Sequence, residues 1–208
     1  MKNLLVMLVF LLSGVGLAQE IKDLNFVGSL SDGYIPVARN NEWGFINSQG
    51  EIVIDFRSDL AFHKEKISGD DLGIASIEYP VISEGMAIIK KEIDGIYYYG
   101  FIDVNGKIVI EPQYLNVSKF RNGYSLALKV EERILGRNNL LDIKVKSYIY
   151  DLVLLNKKGE IIKYLSGPFP VALSREKLRQ PPAINGKWIT PELVAVKDPK
   201  KKWELYKI

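Results

Sequence analysis

Twelve residues of this chain are written almost identically twice. Trp43 to Ile54 runs Trp-Gly-Phe-Ile-Asn-Ser-Gln-Gly-Glu-Ile-Val-Ile, and Tyr99 to Ile110 runs Tyr-Gly-Phe-Ile-Asp-Val-Asn-Gly-Lys-Ile-Val-Ile. Recurrence at a long, regular spacing restricts the fold to an array of one supersecondary unit, since a single unit cannot bury its own apolar face. The turn glycines Gly50 and Gly106 lie 56 residues apart, and Gly159 of a worn third copy (Leu152 to Ile162) follows 53 residues later. The chain then ends on what reads as a half copy over 192–208. Leu193 to Lys197 echoes Met86 to Lys90, and Trp203 stands where the second strand of a copy begins.

Each copy reads as a three-stranded meander. Strand one is Tyr34 to Arg39, or Met86 to Lys91. Asn40-Asn41 or Asp94-Gly95 then turns the chain, because these residues tolerate the positive φ of a two-residue hairpin. Strand two carries the rings, Trp43 and Phe45 or Tyr97, Tyr99 and Phe101. Residues two apart share a face, so Gly44 and Gly100 fall opposite the rings, where a neighbouring backbone or ring approaches closely. Asn47, Asp103 and Asn156 each precede a glycine by three positions. That spacing predicts a side-chain-capped turn closed by a left-handed glycine at Gly50, Gly106 and Gly159. Strand three is Ile52 to Phe56, Lys107 to Glu111, or Glu160 to Lys163.

These residues resemble the WG-repeat (KWG-repeat) proteins of bacteria. Glu84-Gly85-Met86-Ala87, Tyr99-Gly100-Phe101-Ile102-Asp103, Gly106-Lys107, Ile110-Glu111-Pro112-Gln113-Tyr114 and Phe120 follow that family's unit. The first copy keeps Trp43-Gly44-Phe45-Ile46-Asn47 but has Phe56 where the proline belongs. The third has lost both Trp and Gly, and the fourth keeps Trp203 with Glu204 in place of Gly. The resemblance covers Gly33 to Gly123 well. It implies an all-β fold of meander repeats stacked into a curved array, with no activity and no catalytic residues to carry over. A small closed β-propeller is the alternative, since a period alone does not separate stacked hairpins from blades. Closure would need a missing strand, which residues 20–26 are placed to supply.

Met1-Lys2-Asn3, the apolar run Leu4 to Leu12 and Gly16-Leu17-Ala18 have the layout of a secretory signal peptide cut after Ala18. The run is shorter than the ~20 residues of a spanning helix. The expected product is therefore an exported chain, periplasmic or extracellular, with a single domain over 19–208 and no membrane span once the signal is removed. Copies are placed at about 33–62, 84–120, 123–163 and 192–208, with a proline-rich segment at 164–191. No cysteine occurs anywhere, so burial and strand pairing must supply the stability that disulfides give many exported proteins. The formal net charge of +3 is too small to argue for nucleic acid.

Function, where local, belongs at departures from the repeat. Three departures stand out: Arg57 to Pro80; Glu131 to Tyr148, which reads as a long hairpin with charged faces; and Tyr164 to Pro191, in which Ser174 is placed to cap a short helix reaching about Gln180. His63 is the only histidine. Without cysteine, Cys/His nucleophiles and zinc sites are excluded. Asp59, His63, Glu65, Asp70 and Asp71 match no ligand loop, and neither glycine-rich phosphate motif occurs. No catalytic residue, cofactor or metal is expected.

The rings remain. Trp43, Tyr99 and Trp203 hold repeated positions and are expected in the core, beside the strand-two glycines Gly44 and Gly100 and the turn residues Gly50, Asp103, Gly106 and Gly159. Tyr98 must point away from its neighbours Tyr97 and Tyr99, and Trp188 lies outside the repeat, so these two are the candidate ligand contacts. The expected function is a non-catalytic binding or scaffold protein of the envelope whose partner is a protein or extended peptide. The alternative is a carbohydrate- or peptidoglycan-binding module that uses exposed aromatics.

Overall fold

The computed structural model describes residues 21–62, 79–138, 143–176, 178 and 181–208. Every regular element among them is a β-strand, and every pairing is antiparallel. Four meander units follow one another. The first is β1 (Phe26–Val27), β2 (Tyr34–Arg39), β3 (Glu42–Asn47) and β4 (Ile52–Arg57), paired in chain order. The second is β5 (Ile82–Ser83), β6 (Met86–Ile93), β7 (Ile96–Asp103) and β8 (Ile108–Val117). The third is β9 (Tyr124–Asn138), β10 (Ile143–Asn156) and β11 (Ile161–Val171). It joins the second edge to edge through Tyr114↔Lys129 and Val117↔Ala127, giving a seven-stranded sheet. The fourth is a separate three-stranded sheet, β12 (Gly186–Thr190), β13 (Leu193–Lys197) and β14 (Trp203–Lys207).

The capped turn recurs in all four units. Asn47 Oδ1 accepts from the amides of Gln49 and Glu51 at 3.0 and 2.9 Å. Asp103 Oδ1 accepts from Asn105 and Lys107, both at 2.9 Å. Asn156 Oδ1 accepts from Lys158 and Glu160 at 2.9 and 3.0 Å. The backbone donors Gly50, Gly106 and Gly159 close these turns with φ between 75° and 81°. The fourth turn is Asp198 to Lys202: Asp198 Oδ1 accepts from the Lys202 amide at 2.7 Å, and Lys201 holds φ 64° in the glycine's place.

That turn corrects the half copy. Asp198 is the counterpart of Asn47, so Trp203 opens strand three rather than strand two, and β12 supplies strand one. The fourth unit is a complete meander. The irregular segment shrinks accordingly, because Tyr164 to Val171 extends β11 and Gly186 to Thr190 forms β12. Nor do residues 21–26 complete the last unit: Phe26 and Val27 pair with Ala38 and Val37 of β2, no described strand joins the first sheet to the fourth, and Glu20 lies outside the described residues. At Ser174 one helical bond forms, from the Leu178 amide to the Ser174 carbonyl at 2.8 Å; Lys177, Arg179 and Gln180 lie outside the described residues.

Three cores fill the spaces between successive units, and one position threads them. Phe45, two residues before Asn47, sits with Ile54, Leu60, Ile89 and Ile102 between units one and two. Phe101, two before Asp103, sits with Ile88, Ile110, Phe120 and Val153 between units two and three. Leu154, two before Asn156, sits with Leu126, Leu128, Val194 and Val196 between units three and four. Phe45, Phe101 and Leu154 are all fully buried. Burying a ring or leucine of this size is worth about 1.5–3 kcal/mol, so the repeated ring position is where the array gains its cohesion.

A second recurring contact runs along the edge. Asp32-Gly33, Glu84-Gly85 and Asn122-Gly123 are lead-in turns in which both residues have positive φ. The Asp32 carboxylate accepts the amide of Glu84 at 3.0 Å. The Glu84 carboxylate accepts the amides of Asn122 and Gly123, the latter at 2.8 Å. Lys157 donates to the Glu84 carbonyl at 2.8 Å and lies 3.3 Å from its carboxylate. The second and third of these turns are thus each capped by a side chain of the unit before. Charge-assisted bonds of this kind are about twice as strong as neutral ones.

Candidate interaction surfaces

The repeat glycines answer to strand three. A Cβ at Gly44 would lie 2.8 Å from the Ile54 carbonyl oxygen, and one at Gly100 would lie 2.3 Å from that of Ile110 and 2.6 Å from the Pro112 nitrogen. In both units the pairing skips the glycine: Trp43↔Arg57 and Phe45↔Ile54 bracket Gly44, while Tyr99↔Tyr114 and Phe101↔Ile110 bracket Gly100. The extra residues of strand three bulge over the gap, and only a residue without a side chain fits beneath them.

Trp43 and Tyr99 pack against the cores half-buried, as expected of repeat positions. Tyr97 does not follow Tyr99. It is exposed, its phenol donates to Glu92 and is held above its ordinary pKa chiefly by that bond, and it borders an open depression of about 380 Å³ with Arg175 and Glu176. The expected face reverses because β7 runs past the core that holds Phe101, and its far end packs Ile96 and Tyr98 against the third core instead. Tyr98 is therefore half-buried, with its pKa raised first by desolvation.

The tryptophans exchange roles. Trp188, read as a candidate for exposure, pairs with Val194 on the inner side of the fourth sheet, packs on the third core and has a buried indole nitrogen. Trp203, read as core, is 50% exposed. The cause is the register already described: Trp203 pairs with Lys197 and Leu205 with Ala195, on the side facing away from Val194 and Val196. The ammoniums of Lys187 and Lys197 each stand 5.0 Å from the Trp203 ring centre.

The long hairpin forms, and it projects. β9 and β10 pair from Tyr124↔Asn156 out to Asn138↔Ile143. β8 holds β9 only as far as Lys129, and β11 reaches along β10 only to Tyr148. Beyond those points no described strand pairs with either outer edge of the ribbon. Lys146 donates to Glu132 at 2.9 Å across the strands. At the base, Lys129 donates to Glu131 and to the Tyr164 hydroxyl, both at 2.8 Å, which holds Lys129 protonated above its ordinary range. Toward the tip, Ile134 and Leu135 are 58% and 68% exposed.

Asp59 is engaged by Arg57, at 2.5 and 2.7 Å, rather than by any ligand set. His63, Glu65, Asp70 and Asp71 lie outside the described residues. Among the described residues no group of three or more His, Cys, Asp or Glu side chains converges.

Residues 43–63 and 99–129 match the family described as WG containing repeat. The chain carries WG repeats. Each matched WG segment starts on strand two and runs through strand three into the stretch that reaches the next unit. Leu60 thus bridges to Ile89 of the second unit, and Lys129 pairs with Asp151 inside the third. The WG match is offset from the meander by one strand, so it spans the junction that each ring position fills. Neither the curated proteins nor the solved structures contain a match to this chain.

Sequence reading missed the carboxylate caps at Asp32 and Glu84. The signal was present, since both precede a glycine at the start of a copy. What could not be read was that each side chain reaches the following unit, 52 and about 38 residues on.

Proposed function

We propose that this WG-repeat chain is a non-catalytic, exported binding or scaffold protein of the bacterial envelope, and that its partner is a protein or an extended peptide. The observation that carries this reading is the β9–β10 ribbon. An isolated two-stranded ribbon is marginally stable. One that presents Ile134 and Leu135 to solvent, with no described strand on either outer edge, offers backbone donors and acceptors together with apolar anchors to an added strand. Its base is anchored in the array, where β8 pairs with β9 and β11 with β10. The carbohydrate alternative depended on open ring faces at Tyr98 and Trp188, and both rings are packed against the third core.

Site-specific photo-crosslinking in the producing cell tests the proposal. A photoreactive residue at Leu135 is expected to yield a discrete protein adduct that the same residue at Lys119, away from the ribbon, does not. Replacing residues 133–146 by a short turn should abolish co-purification of the crosslinked protein with the chain while leaving the thermal midpoint of the array within a few degrees. No adduct from the ribbon, together with retention on purified cell wall, would replace this reading with the carbohydrate one.

A further inference from the structure

We propose that the outer face of the fourth sheet docks on an anionic phospholipid surface. In the first three units the ring-bearing face looks toward the next unit. In the fourth, the equivalent residue Val196 looks back into the third core, so this unit packs face to face on the one before it. No described strand lies over its other face. That face is apolar at its centre: Trp203 and Leu205 are 50% and 64% exposed, and Ile189, at the bulge beside them, is 47% exposed.

Charge identifies the occupant. Between positions 187 and 207 there are six lysines against three acidic residues, a surplus equal to that of the whole chain. The acids are all off the face. Asp198 caps its own turn, Glu192 sits in the β12–β13 turn, and Glu204 pairs with Val196 on the inward side and accepts from the Tyr206 hydroxyl at 2.7 Å. Lys187 and Lys197 stand at the Trp203 ring, and Lys207 lies across from Leu193 on the same side. Among the described residues of this unit, tryptophan, leucine and isoleucine share the face with the ammoniums of Lys187, Lys197 and Lys207 and with no acidic side chain.

This is the composition of a membrane-interface surface, in which the indole and aliphatic groups enter the headgroup boundary and lysines meet phosphate. A protein-binding core is depleted in lysine. A stacked sugar would have to displace the two ammoniums from the indole. The face is independent of the β9–β10 ribbon, so the two proposals stand or fall separately.

Flotation of the full chain with vesicles tests it. Phosphatidylcholine alone is compared with equal parts phosphatidylcholine and phosphatidylglycerol, at low and high salt. Wild-type chain is expected to partition at least about tenfold better onto the anionic vesicles, with the preference lost at high salt. Two variants, Trp203→Ser with Leu205→Ser and Lys187→Glu with Lys197→Glu, should each lose that preference while their circular dichroism and melting remain those of wild type. Residues 1–18 are common to all three proteins, so any affinity they have for lipid cancels. Equal partition onto both vesicle types, or variants that partition as wild type does, would overturn the proposal. Retention on polyglutamate without flotation would overturn it in favour of an acidic protein partner.

Discussion

The second and fourth units share a turn and differ in nearly everything the turn does not control. Asp103 and Asp198 cap their turns in the same way, and the residue three positions before each lies at the same place on strand two. In the second unit that residue is Gly100, in the fourth Ala195. The pairing explains the difference. β7 and β8 lose register between Tyr99 and Phe101, and the displaced backbone of β8 lies over Gly100; β13 and β14 pair without interruption from Leu193↔Lys207 to Lys197↔Trp203. Alanine is tolerated where strand three is straight. The third unit supports the same rule: Val153 replaces the glycine, and there the register shift moves so that Val153 pairs directly with Tyr164. The WG glycine is a response to a bulge, not a requirement of the meander.

The units also differ in how many of their faces are covered. Phe101 and Ile102, adjacent on β7, enter two different cores, so the second unit is buried on both sides. Of the corresponding pair in the fourth, Val196 is buried and Lys197 lies on the outer face.

Substitutions at Gly100 should test this contrast hardest. Gly100→Ala puts a methyl group against backbone atoms that cannot step aside, and a loss of about 3 kcal/mol is expected by denaturant unfolding. The reciprocal Ala195→Gly should cost no more than about 1 kcal/mol. If the two losses were equal, the bulge would not be the cause. Next in size is Glu84→Ala, which strips two amides of the third unit's lead-in turn of their acceptor and should cost about 1–3 kcal/mol. Glu204→Ala, with no amide partner in the fourth unit, should stay within about 0.5 kcal/mol.

A gain is expected from Lys201→Gly. Lys201 holds a left-handed conformation that glycine adopts freely at the equivalent turns, and its replacement should stabilise by about 0.5–1 kcal/mol, visible as a higher denaturation midpoint. A destabilised variant would mean that the lysine side chain contributes more than its backbone costs.

The smallest effect concerns acid. The amide of Lys107 is the largest of several bonds that hold Asp103 below its ordinary pKa. A depressed folded pKa means that the cap's stabilisation is fully present above the unfolded value of about 3.9 and is lost as pH falls through the folded pKa. Asp103→Asn, which copies Asn47 and Asn156, should match wild type near neutrality and lose less stability than wild type below about pH 4. Identical acid unfolding curves for the two proteins would assign the acid sensitivity elsewhere.

Much of this was legible in the chain. The Asn47, Asp103 and Asn156 turns follow from local chemistry, because an Asx side chain bonds amides two and four residues away whatever surrounds it. The Asn40-Asn41 and Asp94-Gly95 hairpins follow because these residues tolerate the positive φ that all four adopt, and alternation put Phe45 with Trp43 and Phe101 with Tyr99 on one face. The fourth turn was hidden because Lys201 stands where glycine was sought, and missing it shifted the reading of Trp203 by a whole strand. Tyr97 and Tyr98 were misread for a different reason: alternation tells which residues share a face, but not which neighbour that face meets along a strand eight residues long.

Sequence alone therefore determined the meander, its turns and its repetition, since these depend on bonds and torsions within a few residues. Tertiary structure decided which way each unit faces, where described strands stop pairing along the β9–β10 ribbon, and that Trp188 is packed while Trp203 is open. Those outcomes depend on what stacks against each sheet, and the stacking partner lies tens of residues away along the chain.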